Sequence, residues 1–150
     1  MKLKFALLIF LFWMSSIASA EPLMPLSTFI ADANPNAAKV SYLMARCSAL
    51  YMSFQLLTEV SYPELGKKYE AIGQTALTIF YETSERANKE KNPNYTTPTD
   101  LEENVALTIK NLSNIYKPLM EQSYANTGSY QSNPLIKGDL EVCQILVRGI

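Results

Sequence analysis

The side chains that could do chemistry in this chain are two cysteines, nine tyrosines and fourteen carboxylates, and there is no histidine. Without histidine, a serine or cysteine nucleophile lacks its usual base, and the Glu-x-x-His pairs of di-iron helical bundles cannot form. Two cysteines do not make a zinc site by themselves, and no glycine-rich phosphate loop is present. We therefore expect no enzyme, no catalytic residue, no metal and no cofactor. A hydrolase that uses paired carboxylates is the least favoured alternative.

The first twenty residues have the three parts of a secretory signal peptide. Lys2 and Lys4 begin the chain, an apolar run covers 5–14, and an A-x-A motif ends at Ala20. This pattern predicts cleavage after Ala20 and export to the periplasm or the extracellular space. The alternative is a permanent membrane anchor, which needs about 20 apolar residues. The run is shorter, so we expect no membrane span after cleavage.

The mature chain, 21–150, keeps 11 basic and 14 acidic groups, because two of the 13 basic side chains are lost with the signal peptide, and its net charge is −3. Mild acidity disfavours nucleic acid and anionic membrane surfaces as partners. Cys47 and Cys143 both remain, and an oxidising compartment allows them to pair. We predict a Cys47–Cys143 disulfide, while two buried thiols or bridges between chains are the alternatives.

The apolar residues of the mature chain recur at three- and four-residue spacings, which predicts an all-α fold. We expect one domain over 21–150, an antiparallel four-helix arrangement in which the disulfide joins the first and last helices. An irregular arm over 21–35 precedes it, and a polar loop covers 88–99. The predicted helices are 36–60, 63–87, 100–124 with a kink at Pro118, and 134–147.

Single residues refine this arrangement. Asn36 (or Asn34) and Asp100 are suited to cap the helices that follow them. Gly66 and Gly73 share one flank of the second helix, where each costs up to ~1 kcal/mol relative to alanine. They either allow a neighbouring backbone to approach closely or are merely tolerated.

Two pairs of side chains fall outside the apolar stripes and are the best candidates for an interaction surface. Tyr42 and Arg46 lie one turn apart on the first helix, and Leu77 and Tyr81 lie one turn apart on the second. Exposed tyrosine is favourable in interfaces because it contributes area at low entropy cost. The alternative interpretation is ordinary surface tyrosine.

The absence of a catalytic set, together with predicted export and small size, favours a binding protein that acts through a helical surface. Its expected partner is another envelope protein, as for an inhibitor, immunity factor or chaperone. The alternative function is a carrier of a small apolar ligand inside the bundle. In that case Met44, Met52 and Met120 would line an adaptable pocket.

Overall fold

A computed structural model describes residues 23–30 and 36–148, and this part of the chain is all-helical, with no strand. The predicted all-α class is confirmed. The five helices are α1 (Leu26–Ile30), α2 (Ala37–Thr58), α3 (Pro63–Lys91), α4 (Leu101–Thr127) and α5 (Pro134–Arg148). The predicted signal peptide lies outside the described residues. Across 23–30 and 36–148, no helix combines the length and apolar character needed to cross a membrane.

The arm over 21–35, for which an irregular chain with a short turn of helix around 26–33 is predicted, contains the short helix α1. Leu26, the first residue of α1, is completely buried, and α1 packs against α5. The Pro25 carbonyl accepts a hydrogen bond from the Thr28 backbone N–H at 3.0 Å, which closes the first turn. Proline is favoured at the start of a helix, because the backbone N–H that it lacks would have no helical partner there. The short helix therefore forms because a buried leucine holds it to the body of the protein.

Helix α2 lies at the centre of the fold. Helices α3, α4 and α5 all pack against it, and every residue from Leu43 to Tyr51 is buried. The apolar stripe predicted for this helix is thus only one of its buried sides. Small residues such as Ala45, Ser48 and Ala49 on the other sides let neighbouring helices approach. This middle stretch of α2 has no solvent face because other helices surround it.

Helices α2 and α3 approach each other closely at two glycines of α3. A Cβ atom on Gly66 would lie 2.9 Å from the Cα atom of Glu59, and one on Gly73 would lie 3.2 Å from the Cγ atom of Met52. Backbone cannot yield at Gly66, whereas the methionine side chain can adjust at Gly73. Of the two interpretations of these glycines, the structure favours close approach.

Several helix ends differ from the sequence prediction, and α4 ends at Thr127, three residues past the predicted 124. Helix α3 continues four residues past 87 to Lys91. Lys89 pairs with Glu85 one turn earlier at 2.8 Å, and the helix ends at Asn92 because a residue before proline avoids the helical conformation. At the start of α4, the side chain of Asp100 makes no capping hydrogen bond. The Asp100 carbonyl accepts the Asn104 N–H at 2.9 Å instead.

Single residues also shape the ends and the middle of α2 and α4. The Asn36 side chain accepts the Lys39 backbone N–H at 2.8 Å and caps α2. Helix α4 runs past Pro118 without ending there, and Gly128 ends it in the left-handed conformation with φ 73°. Glycine adopts that conformation without the steric cost that other residues pay.

The predicted cysteine pair is at disulfide distance. The sulfur atoms of Cys47 and Cys143 lie 2.03 Å apart, and their Cα atoms are separated by 5.4 Å. Both residues are completely buried. The pair joins the central helix α2 to the last helix α5 across 96 positions of sequence.

Candidate functional site

A groove lies between α3 and α4 on the surface of the protein. Both helices pack against α2 but contact each other little, which leaves space between them. The groove has a volume of about 550 Å³. Helix α3 contributes Gln74, Leu77, Thr78, Tyr81 and Glu82, and helix α4 contributes Glu102, Val105 and Ala106.

The spacing of these residues explains why they meet. On α3 the lining residues follow i, i+3, i+4, i+7 and i+8, which is one continuous helical face. Leu77 and Tyr81 are half-buried and Val105 is buried, so they form an apolar floor. Glu82 and Glu102 are exposed on opposite walls. The structure therefore places one predicted pair, Leu77 and Tyr81, in an acidic-edged apolar groove.

The other predicted pair has a different environment. Arg46 is only 1% exposed and lies in the interior. Tyr42 stays partly exposed, but its ring packs against Phe29 with centroids 5.0 Å apart. The guanidinium of Arg46 also lies over the rings of Tyr42 and Tyr116, at 5.7 and 5.9 Å. Arg46 is therefore part of a buried polar cluster and does not form an open surface.

This arginine cluster consists of the side chains of Arg46, Tyr42, Tyr116 and Asp139. Arg46 forms an ion pair with Asp139, which is completely buried. Its Nε–H donates to the Tyr116 hydroxyl oxygen at 2.8 Å, and the Tyr116 O–H in turn donates to Asp139. One Arg46 Nη donates to the Tyr42 hydroxyl oxygen at 3.2 Å. The cluster thus links α2, α4 and α5 through mutually satisfied groups.

The arginine cluster also holds the N-terminal arm through its backbone. Arg46 donates to the Met24 carbonyl at 2.6 Å. The Leu26 N–H donates to Oδ1 of Asp139 at 2.7 Å. Because buried backbone groups need partners, the same ion pair that joins α2 and α5 supplies the hydrogen bonds of the arm.

Burial sets the protonation states of the arginine cluster. Desolvation and the neighbouring Asp139 carboxylate raise the pKa of Tyr116 far above its ordinary value, so its phenol stays neutral and donates. Burial opposes the charge on Arg46, but the interactions with Tyr116, Asp139 and Tyr42 outweigh it and raise the pKa of Arg46. The cluster is therefore a fixed ion pair with a neutral hydroxyl bridge.

A second surface cavity, the tyrosine cleft, lies at the start of α3. Its volume is about 370 Å³. Five aromatic side chains line it: Phe54, Tyr62, Tyr69, Tyr124 and Tyr130. A cavity of about 250 Å³ that shares Tyr69 and Gln131 with the cleft extends towards α5.

The aromatic rings of the cleft are arranged in two stacks. Tyr124 and Tyr130 have centroids 4.4 Å apart, and Phe54 and Tyr69 have centroids 5.1 Å apart. Burial raises the pKa of Tyr69 and keeps its phenol neutral. The sequence pattern gives no sign that Tyr124 and Tyr130 lie together with Tyr62. The missing information was the fold of the 128–133 connection, which returns Tyr130 onto the end of α4.

Comparison with known proteins identifies no matching family model, no matching curated protein and no matching solved structure. Among the residues that the structure describes, no three cysteine or carboxylate side chains are grouped as metal ligands would be. The geometry of the α3–α4 groove and of the tyrosine cleft is therefore the basis for inferring function.

Proposed function

We propose that this protein is an exported binding protein whose α3–α4 groove accepts an amphipathic helix of a partner in the cell envelope. The observation that carries the proposal is the groove itself, with an apolar floor at Leu77 and Tyr81 between two acidic walls. Export to the periplasm or extracellular space is part of the proposal. The disulfide-distance cysteine pair is compatible with an oxidising compartment.

The shape of the groove favours a helical occupant. Two helices with space between them leave a trough into which a third helix fits, with its apolar residues at i, i+3, i+4 and i+7 as anchors. Tyr81 is suited to be the dominant contact, because tyrosine is enriched among residues that carry most of the binding energy.

The charge of the groove specifies the partner further. Glu82 and Glu102 supply two carboxylates, and the lining contains no basic side chain. A partner helix with lysine or arginine beside its apolar stripe would be complementary, whereas an acidic helix would be repelled. The net acidity of the mature chain acts in the same direction.

A carrier of a small apolar ligand remains the alternative proposal, and it has less support. Met44 and Met120 are buried in the core. Met52 lies against Gly73 at the α2–α3 contact. None of these three methionines lines the α3–α4 groove. A carboxylate-based hydrolase has no supporting observation.

The test uses the mature, oxidised chain and two synthetic helical peptides that share one apolar stripe, one flanked by lysines and the other by glutamates. We expect calorimetry to show binding of the basic peptide only. Tyr81→Ala is expected to weaken the affinity for the basic peptide about tenfold or more. Replacing Glu82 and Glu102 by glutamine should make this affinity less dependent on salt.

The matched control is Leu107→Ala, which truncates another exposed α4 side chain outside the groove and should leave binding unchanged. The wild type, Leu107→Ala and Tyr81→Ala are then each used to capture proteins from the native envelope extract. A partner retained by the wild type and the control but lost with Tyr81→Ala would identify the natural ligand. Equal binding of both peptides, or no effect of Tyr81→Ala, would reject the groove as the binding site.

A further inference from the structure

The tyrosine cleft is separate from the α3–α4 groove, because no described residue lines both the groove and the cleft or its extension. We propose that the tyrosine cleft and its extension towards α5 form a second binding site, which takes a proline-rich peptide segment in the extended polyproline II conformation. This proposal does not depend on the function proposed for the α3–α4 groove.

The tyrosine cleft and its extension have an uncharged lining. The side chains that line the cleft and its extension are aromatic, aliphatic, hydroxyl or amide groups, and none is ionisable except tyrosine. A charged ligand would lose its hydration there without gaining an ion pair, which is costly. The occupant that fits is therefore uncharged over the length of the cleft.

Several hydroxyl groups that line the tyrosine cleft have no hydrogen-bond partner among the described residues of the protein. Within the described part of the chain, the hydroxyls of Tyr62, Tyr69, Tyr124 and Tyr130 make no hydrogen bond. Gln131 and Gln144 add side-chain amides along the same path. A helical ligand has already satisfied its own carbonyls, whereas a polyproline II segment has no internal hydrogen bonds and presents free carbonyls to such donors.

The tyrosine cleft exposes a large aromatic surface. Two stacks of rings stand in one cleft, and Tyr62 and Tyr124 keep 63% and 48% of their surface exposed. Large exposed aromatic area in a concave site is unusual for a feature that only packs the core. Proline rings dock into aromatic-lined grooves in known recognition modules, and the stiff ligand loses little entropy on binding. The cleft and its extension share Tyr69 and Gln131, so a segment bound in one can reach the other.

The test is titration of the mature, oxidised protein with a blocked oligoproline peptide, followed by calorimetry and by NMR of the tyrosine ring signals. A glycine-serine peptide of equal length is the control for non-specific binding. We expect the oligoproline to bind and to shift the ring signals of Tyr62 and Tyr124.

Variants then assign the contacts. Tyr62→Ala and Tyr124→Ala are each expected to weaken oligoproline binding about tenfold. Tyr62→Phe keeps the ring, removes the hydroxyl and should weaken binding by a smaller, severalfold amount. Leu107→Ala lies outside the cleft and should have no effect.

Several outcomes would overturn the proposal. These are no binding of oligoproline, equal binding of the glycine-serine peptide, or ring shifts confined to tyrosines outside the cleft. A neutral chito-oligosaccharide that binds in the cleft when oligoproline does not would assign the site to glycans. The ring shifts are measured on the wild type, so the proposal can be rejected even if an alanine variant fails to fold.

Discussion

Replacing Asp139 by leucine would remove the carboxylate that pairs with Arg46 and would leave a buried guanidinium without its counter-ion. The Leu26 N–H would lose its acceptor at the same time. Breaking a buried ion pair from one side costs about 3–5 kcal/mol. A domain of this size has a free energy of unfolding of about 5–15 kcal/mol. The loss is therefore a large fraction of the total stability.

The complementary changes separate the charge effect from the loss of packing. Arg46→Met leaves Asp139 as the uncompensated charge and should also cost about 3–5 kcal/mol. The double variant Arg46→Met with Asp139→Leu removes both charges and replaces them with apolar volume. We expect it to be much less destabilised than the sum of the two single changes, because neither charge is left alone.

The assay is urea unfolding of the mature, oxidised chain, followed by far-ultraviolet circular dichroism. Glu64→Gln is the matched control, since its ion pair with Lys67 at 3.0 Å is highly exposed. An exposed pair contributes about 0–1 kcal/mol, so this variant should resemble the wild type. The reasoning is refuted if Asp139→Leu costs no more than this control, or if the two single effects simply add in the double variant.

Three further predictions concern packing, pH and the disulfide. Gly66→Ala should lower the free energy of unfolding by about 1–3 kcal/mol in a urea titration, because the new methyl group meets backbone; Gly73→Ala meets a flexible side chain and should cost less, and the opposite order would contradict this geometry. Tyr116 has a raised pKa, so its stabilising effect is complete below the pKa of an unfolded tyrosine, about 10, and is lost as the pH rises further. Phenolate absorbance should therefore show one of the nine tyrosines ionising only when the chain unfolds, and ionisation of all of them in the native state would disprove it. Replacing Cys47 and Cys143 by serine opens a loop of 96 residues and should reduce thermal and urea stability by about 4–5 kcal/mol in the chain-entropy model, whereas a change below about 1 kcal/mol would show that the pair contributes little.

The candidate groove could be predicted in part. Leu77 and Tyr81 are large side chains on the side of α3 away from its apolar stripe, and that position indicates a role outside the core. The opposite wall could not be predicted from the same pattern. Glu102 has the position of an ordinary acid at the start of a helix, where it favours the positive end of the dipole. Only the packing of α4 on α2 brings it across from Glu82.

Arg46 shows where the pattern misleads. Within one turn of a helix, an arginine four residues from a tyrosine and outside the apolar stripe indicates a side exposed to solvent. Its partner Asp139 is 93 positions away. A signal was nevertheless present, because Asp139 lies four residues before Cys143 on the apolar stripe of the last helix. A charged residue on a buried stripe requires a partner of opposite charge, and the adjacency of Arg46 to Cys47 placed that partner within reach.

The sequence by itself determined the all-helical class, the cysteine pair and the approximate extent of the long helices. These depend on periodicity, proline and local capping, which act within a few residues. The packing of the helices determined that α2 is buried on all sides over 43–51, that the N-terminal arm is held by an internal ion pair, and that four tyrosines line one cleft. Each of these depends on which helices become neighbours, and that choice is made by packing complementarity summed over residues far apart in the chain.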